Sequence, residues 1–319
     1  MVVSCQPAYL SRTQPDKYIM KKGSSLLDMD TINKIKIIIA KSLASDDELL
    51  EMLILKGGNA ISLGYGLSDR PSYDLDYSLE DDFEDVEEVS QRLKKLIEDG
   101  FAVNGYVMFD FEFKDKPKTQ SQNMDFWGGY NVTFKLITNE EFKRINYDLN
   151  EARSKYAIKL NPGGSPKFSI DISKFEYIDK HKVAKDLDGV QLYIYAPELI
   201  VAEKLRAICQ KLPEYTTDIL KQKAPNHEKA RARDFYDIYI LTQYFPFKHD
   251  TLDFIDTLKH VFDAKRVPYE YMKRVRGMYE THRQDFESLK ATITDKEAKE
   301  KGFDFYFDYT MELFEKIFD

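Results

Sequence analysis

Residues 52–60 have the sequence Met-Leu-Ile-Leu-Lys-Gly-Gly-Asn-Ala, and residues 70–76 have the sequence Arg-Pro-Ser-Tyr-Asp-Leu-Asp. The apolar run before the two glycines predicts a short buried strand. The apolar residues that follow the glycines, at positions 61, 63 and 67, are spaced as in a helix. A glycine turn that leads into a helix presents backbone N–H groups and the positive end of the helix dipole, which together bind phosphate. The first stretch therefore predicts a phosphate site at Gly57 and Gly58.

The second stretch ends in two aspartates separated by one residue, inside a predicted strand. Because residues i and i+2 of a strand point to the same side, Asp74 and Asp76 would direct both carboxylates to one place. Such hard oxygen ligands suit Mg²⁺, which neutralises nucleotide phosphates. Each stretch alone has a simple structural explanation: a flexible turn, or a solvated face in a chain with 55 acidic residues. Their order and closeness together predict nucleotidyl transfer.

A third aspartate occurs in residues 167–173, Lys-Phe-Ser-Ile-Asp-Ile-Ser, where apolar and polar residues alternate. The alternation predicts a strand whose apolar residues face a core and whose polar residues, including Asp171, face the other way. A lone acid on such a polar side is usually exposed to solvent. If this strand lies beside the strand of Asp74 and Asp76, however, Asp171 becomes a third carboxylate that can help to deprotonate an attacking hydroxyl group.

Two further segments carry charges at helical spacing. Residues 198–211 have the apolar pattern of a helix that also contains Lys204, which would be either a surface lysine or a point charge on the phosphate oxygens of a nucleotide. In residues 231–241, Asp234 and Asp237 are three positions apart and hence on one helix face. They could belong to the site, or they could form a structural ion pair with the helix of Lys204.

The composition limits the possible functions. With 319 residues, the chain is long enough for one large domain or two ordinary ones. Its two cysteines are far apart and form no metal-type pair, which favours a reducing, cytoplasmic setting. No apolar stretch approaches the ~20 residues that a membrane-spanning helix needs, so we expect no membrane partner. The net charge of −8 argues against a general nucleic-acid coat, although basic clusters within 221–233 and 259–283 could form a local RNA surface or solvated helix faces.

Four segments occur in the order seen in the AbiEii/AbiGii toxin family: residues 55–60, residues 70–76, residues 203–207 (Glu-Lys-Leu-Arg-Ala) and residues 233–238 (Arg-Asp-Phe-Tyr-Asp-Ile). The chain therefore resembles that family, a branch of the DNA polymerase β-like nucleotidyltransferase superfamily that includes the MenT toxins. The resemblance extends from about residue 50 to about residue 245. It departs from the family pattern at Asn59, where a threonine is usual, although a small polar side chain is kept.

The resemblance implies an α/β (α+β) fold in which a nucleotidyltransferase-type mixed β-sheet core is flanked by helices and followed by a C-terminal helical bundle domain. We expect a polar N-terminal arm at residues 1–26, the nucleotidyltransferase domain at residues 27–196 and the helical domain at residues 197–319. Within the core, the hydrophobic pattern predicts a helix at residues 83–97 and strands at residues 101–113 and 130–137.

The resemblance also implies roles for individual residues. Asp74, Asp76 and Asp171 are expected to hold one or two Mg²⁺ ions and, together with Lys204, to be the catalytic residues. The residues expected to bind the nucleotide are Gly57, Gly58, Asn59, Arg70, Ser72, Lys204 and Asp234.

The expected activity is a Mg²⁺-dependent transfer of a nucleoside monophosphate (NMP) from a nucleoside triphosphate (NTP) to a hydroxyl acceptor. The resemblance implies that the acceptor is RNA, at the acceptor end of tRNA. It further implies that the chain is the toxin of a toxin–antitoxin or abortive-infection system, with an antitoxin protein as a partner. Two alternatives stay open: a nucleotidyltransferase that acts on a protein or a small molecule, and a catalytically inactive nucleotide- or partner-binding module.

Overall fold

The computed structural model describes residues 29–67, 74–118, 124–159, 164–223, 230–245, 248 and 250–318. The predicted N-terminal arm lies outside these residues, as do Arg70 and Ser72 of the predicted nucleotide site.

A mixed β-sheet forms the centre of the fold. Its seven strands, within the described residues, are β1 (Ile54–Leu55), β2 (Leu75–Ser78), β3 (Tyr106–Lys116), β4 (Gly129–Thr138), β5 (Phe168–Ser173), β6 (Lys182–Leu187) and β7 (Val190–Tyr195). The strand order in the sheet is β3-β4-β5-β2-β1-β7-β6. The pairs β2–β5 and β1–β7 are parallel, and the other neighbouring strands are antiparallel. This mixed sheet, with helices on its flanks and at the C-terminal end, confirms the predicted fold class.

Helices precede, interrupt and follow the strands. The α-helices are α1 (Met29–Ala44), α2 (Asp47–Met52), α3 (Gly57–Asn59), α4 (Val86–Val103), α5 (Asn139–Arg144), α6 (Leu149–Glu151), α7 (Pro197–Cys209), α8 (Ala232–Tyr244), α9 (Leu252–Asp263), α10 (Tyr279–Arg283), α11 (Phe286–Lys290), α12 (Lys296–Glu300) and α13 (Phe303–Phe318). π-Helical segments are found at Ala60–Gly64, Ala152–Tyr156 and Tyr215–Ile219, and 3₁₀-helical segments at Asp179–His181 and Tyr269–Met278. None of the helices in the described part of the chain combines the length and apolarity that crossing a membrane requires.

Helix α4 is longer than the sequence pattern predicted. It begins at the N-cap Asp85, whose side chain accepts a hydrogen bond from a backbone N–H group in the first turn. Its buried residues recur every four positions, and Phe101 continues that series where the alternation had predicted the start of a strand. The Phe101 ring lies 5.5 Å from the ring of Phe134 on β4, which places α4 on the apolar face of the sheet. Strand β3 consequently begins only at Tyr106.

Helix α7 connects the sheet with the C-terminal helices. Its residues 199–202 and 204–209 are all buried, so it is enclosed on all sides by protein. A single continuous apolar core includes side chains of the sheet and of the C-terminal helices, such as Ile170 and Phe307. Residues on both sides of the predicted boundary between residues 196 and 197 share this core, and the boundary stays a prediction.

Candidate active site

The glycine turn is held against the second strand. Gly57 has a φ of +64°, a backbone conformation that residues other than glycine rarely adopt. The backbone N–H of Lys56 donates a hydrogen bond to the carbonyl of Asp76, with a nitrogen–oxygen distance of 2.9 Å. A Cβ atom added to Gly57 would lie 3.1 Å from Oδ2 of Asp76. Glycine is therefore needed both for the backbone conformation and for the close approach to this carboxylate.

Strand pairing brings the predicted carboxylates together. In the parallel pair β2–β5, Asp76 lies directly opposite Asp171. Their strand neighbours Leu75, Tyr77, Ile170 and Ile172 are buried, so the two aspartates share the more open face of the sheet. Asp74 lies immediately before β2, which begins at Leu75, so the strand is one residue shorter at this end than the sequence predicted. We refer to Asp74, Asp76 and Asp171 as the carboxylate cluster.

The charged forms of two members of the carboxylate cluster, Asp74 and Asp76, are disfavoured. Burial raises the pKa of Asp76 to about 7; the charge of Lys56 opposes this effect, and the charges of Asp171, Glu203 and Asp74 add to it. Although Asp74 is exposed as a residue, desolvation of its carboxyl group and the charge of Asp171 also raise its pKa. Crowded hard oxygen donors whose mutual repulsion a dication would relieve fit Mg²⁺ chemically. Within the described ranges, however, no group of three His, Cys, Asp or Glu side chains is already arranged around one metal position.

Lysine and asparagine side chains already contact the third carboxylate. The ammonium of Lys116, at the end of β3, lies 2.9 Å from Oδ1 of Asp171. Asn131 on β4 is in register with Asp171 and donates a hydrogen bond of 2.7 Å to the same oxygen. The charges of Lys116 and of the buried Lys36 on α1 also act to lower the pKa of Asp74. No sequence pattern had pointed to these three side chains, because they come from elements distant in the chain.

A second group of charges lies beneath the glycine turn. We call it the buried ion cluster, and its members are Lys56, Glu176, Glu203, Arg206 and Lys265. Lys56 Nζ lies 2.8 Å from Glu203 and 3.3 Å from Glu176, and Arg206 lies 2.8 Å from Glu176. Burial opposes charge on Lys56, but the charges of the two glutamates outweigh it and hold the pKa of Lys56 well above its ordinary value. The cluster thus fixes the residue that immediately precedes Gly57.

Lys204 and Asp234 form a separate buried ion group. Lys204 Nζ lies 3.0 Å from Asp234 and 2.8 Å from Asp237, and all three side chains are less than a tenth exposed. Although burial acts to raise the pKa of Asp234, the charges of Arg231 and Lys204 outweigh it and hold that pKa well below its ordinary value. This is the ion pair between helices α7 and α8 that the sequence offered as the structural alternative. A role for Lys204 or Asp234 at the nucleotide stays a prediction.

Asn59 links the glycine turn to the segment that carries Asp74 and Asp76. It is fully buried, and its side-chain amide donates a hydrogen bond of 2.5 Å to the backbone carbonyl of Asp74. Asn59 therefore ties the helix that follows the glycine turn to the start of β2. Direct contact between Asn59 and a nucleotide stays a prediction, as it does for Gly58.

The match to a protein family decides the class of this chain. The family described as "Nucleotidyl transferase AbiEii toxin, Type IV TA system" matches residues 40–309. The chain belongs to the AbiEii toxin family. Like the family as a whole, it is a nucleotidyltransferase toxin, with an NTP as substrate and an antitoxin as partner. No curated protein matches the chain.

Several solved structures are similar to this AbiEii-family chain. JHP933 from Helicobacter pylori is 18% identical with a TM-score of 0.46, and the alignment covers 92% of this chain and 93% of that one. MenT4, a nucleotidyltransferase toxin from Mycobacterium tuberculosis, is 16% identical with a TM-score of 0.40, covering 91% and 84%. An antigenic nucleotidyltransferase-like protein from Paracoccidioides brasiliensis is 15% identical with a TM-score of 0.35, covering 76% and 95%. Because these TM-scores are below 0.5, the family assignment depends on the family match alone.

Proposed function

We propose that this chain transfers an NMP from an NTP to a hydroxyl group on RNA, with Mg²⁺ held by Asp74, Asp76 and Asp171. The observation that carries the proposal is the register of β2 and β5. It places Asp76 opposite Asp171, while the Gly57 turn adjoins Asp76. A phosphate-binding turn and three carboxylates on or next to neighbouring strands are the parts that metal-assisted nucleotidyl transfer requires.

The proposed reaction is a single displacement at phosphorus. The acceptor oxygen forms a bond to the α-phosphorus of the NTP, the bond between the α- and β-phosphates breaks, and pyrophosphate leaves with the electron pair. The proton of the acceptor hydroxyl passes to Asp171 or to water. When bound, Mg²⁺ supplies positive charge for the phosphates and lowers the pKa of the acceptor hydroxyl.

The chain's own residues position the reactants. The backbone at Gly57 lies against Asp76, and the turn of Gly57 and Gly58 would hold the departing phosphates. Lys56 positions this turn through its contacts with Glu176 and Glu203. Asn131 orients Asp171 through its hydrogen bond to Oδ1. Asp171 is thus held on the side of the cluster away from the turn, because β5 and β1 lie on opposite sides of β2. The acceptor hydroxyl would approach from this side.

RNA is the acceptor that we favour. Some members of the family that the sequence resembles transfer nucleotides to the acceptor end of tRNA, and Lys116 supplies a cation directly beside Asp171. We also expect the chain to act in the cytoplasm, where such an acceptor is present.

The test is incubation of the purified chain with Mg²⁺, each of the four α-labelled NTPs in turn, and total tRNA. The Asp76→Ala variant is run beside it, with Asp81→Ala as the matched control, since Asp81 is an exposed acid beyond the end of β2. We expect a labelled RNA band from wild type and Asp81→Ala, and none from Asp76→Ala. Label in a product that protease rather than RNase destroys would overturn the RNA assignment. Full labelling by Asp76→Ala would overturn the mechanism.

A further inference from the structure

One face of strands β3, β4 and β5 is polar and accessible. Along β4, the buried residues Val132 and Phe134 alternate with the half-buried Asn131, Thr133 and Lys135. Helix α4 covers the apolar face, where its phenylalanine packs against β4. The polar face is therefore turned away from α4.

This polar face carries an excess of cations. We call it the cationic face, and its charged side chains are Lys114, Lys116, Lys135, Arg153 and Lys167 with the acids Asp110, Glu112 and Asp171. Each of the first two acids is shared by two cations. Glu112 lies 2.8 Å from Lys114 and 3.5 Å from Lys167, and Asp110 lies 3.0 Å from Lys135 and 2.8 Å from Arg153. With five cations and three acids, these side chains have a positive net charge, whereas the chain as a whole has a net charge of −8.

The cations of this face are accessible to a ligand. The side chains of Lys114, Lys116, Arg153 and Lys167 are 44–53% exposed. Exposed ion pairs of this kind are weak, so a polyanion can take over the cations at little cost. The acids that now share them would then be left to solvent.

The position of the cationic face relates it to the reaction. At one end, Lys116 and Asn131 contact Asp171 of the carboxylate cluster. From Asn131 to Lys135 the strand extends about 13 Å away from this point, at about 3.3 Å per residue. The glycine turn follows β1, on the other side of β2. Strands β4 and β3 lie on the side of β5 away from β2 and β1. Across the sheet, the cationic face and the predicted triphosphate therefore lie on opposite sides of Asp171.

We propose that the cationic face holds the phosphate backbone of the RNA acceptor and delivers its terminal hydroxyl to Asp171. The inference depends on the proposed function, since it assumes that RNA is the acceptor. Lysine and arginine contacts to phosphates position a nucleic acid without reading its sequence. The enzyme would act at the end of the RNA rather than at an internal position, because the reaction requires a free hydroxyl group at Asp171.

The test uses two charge-reversal variants of the full chain. Lys114→Glu/Lys167→Glu changes the cationic face at two exposed positions. Lys94→Glu/Lys95→Glu makes the same change of net charge on exposed positions of α4, on the other side of the sheet. Binding of fluorescently labelled total tRNA is measured by anisotropy over a range of salt concentrations, and the KM values for tRNA and NTP are measured by labelling.

We expect the Lys114/Lys167 variant to bind tRNA about tenfold more weakly than the Lys94/Lys95 control. The decrease of log affinity with log salt concentration should become shallower, its slope smaller in magnitude by about 1.5, as expected for two lost phosphate contacts. The KM for tRNA should rise while the KM for NTP stays unchanged. Equal tRNA binding by both variants, or an equal rise in both KM values, would overturn the inference while leaving the proposed function intact. Wild type that labels protein instead of RNA would overturn both.

Discussion

Replacing Asp76 with asparagine should stabilise the metal-free protein while removing its transferase activity. Burial raises the pKa of Asp76 to about 7. An ionised Asp76 is therefore costly for the folded chain at neutral pH unless a cation is bound beside it. Asparagine keeps the shape of the side chain and removes its charge, but it gives up one of the three carboxylates.

Proton linkage determines the sign and the size of this effect. The carboxyl group of Asp76 has its ordinary pKa of 3.8 in the unfolded chain and a pKa of about 7 in the folded chain. Between these two pKa values the folded chain binds more protons than the unfolded chain does. The stability of the wild type therefore falls as the pH rises from about 4 to about 7, by about 1.4 kcal/mol per pH unit. Above about pH 7 the accumulated loss is about 4 kcal/mol, which the Asp76→Asn variant does not suffer.

The assay is urea unfolding with EDTA present, at several values between about pH 4 and about pH 8. The advantage of Asp76→Asn over wild type should be near zero at the acid end and about 4 kcal/mol at the alkaline end. Asp46→Asn is a control of opposite sign, because the hydrogen bond from Arg92 lowers the pKa of Asp46. That variant should be less stable than wild type at neutral pH, with a deficit that shrinks as the pH falls. An Asp76→Asn advantage that does not change with pH would refute the reasoning.

Three other substitutions test separate contacts. Lys116→Gln should bind Mn²⁺ about fivefold more tightly in an EPR titration, since the ammonium 2.9 Å from Asp171 no longer competes; unchanged affinity would contradict this. Lys204→Met should lower the urea-measured free energy of unfolding by about 3–5 kcal/mol, because Asp234 and Asp237 lose a buried cation that they share, although Asp234 keeps Arg231; a wild-type value would contradict this. Gly57→Ala should cost more stability in urea, and more activity, than Gly105→Ala: both glycines have positive φ, but only Gly57 closely approaches a carboxylate. Equal costs would refute the close approach.

Local sequence patterns were sufficient for the strands of the site but not for their pairing. The alternation in residues 168–173 correctly placed Asp171 on the polar side of its strand, opposite the buried Ile170 and Ile172. Whether that strand lies next to β2 depends on contacts between residues far apart in the chain, and no local pattern encodes them. The predicted third carboxylate was for this reason conditional until the register of β2 and β5 was known.

Residue roles on α7 show a different limit of sequence reasoning. Glu203 and Lys204 are neighbours in one motif, yet Glu203 points to Lys56 under the glycine turn and Lys204 points to α8. A helix with one apolar stripe reveals which charges face solvent, but α7 is buried on nearly all sides. The sequence therefore could not distinguish a lysine directed at a nucleotide from one directed at another helix.

The buried ion cluster connects the helical part of the chain to the candidate active site. Lys56 precedes the glycine turn and Glu176 follows β5, whereas Glu203 and Arg206 come from α7 and Lys265 follows α9. Loss of one partner from such a buried group is strongly destabilising, because an uncompensated charge remains inside the protein. Glu203 both pairs with Lys56 and adds to the raised pKa of Asp76. Helix α7 therefore contacts the residue that precedes the glycine turn and contributes charge at the carboxylate cluster.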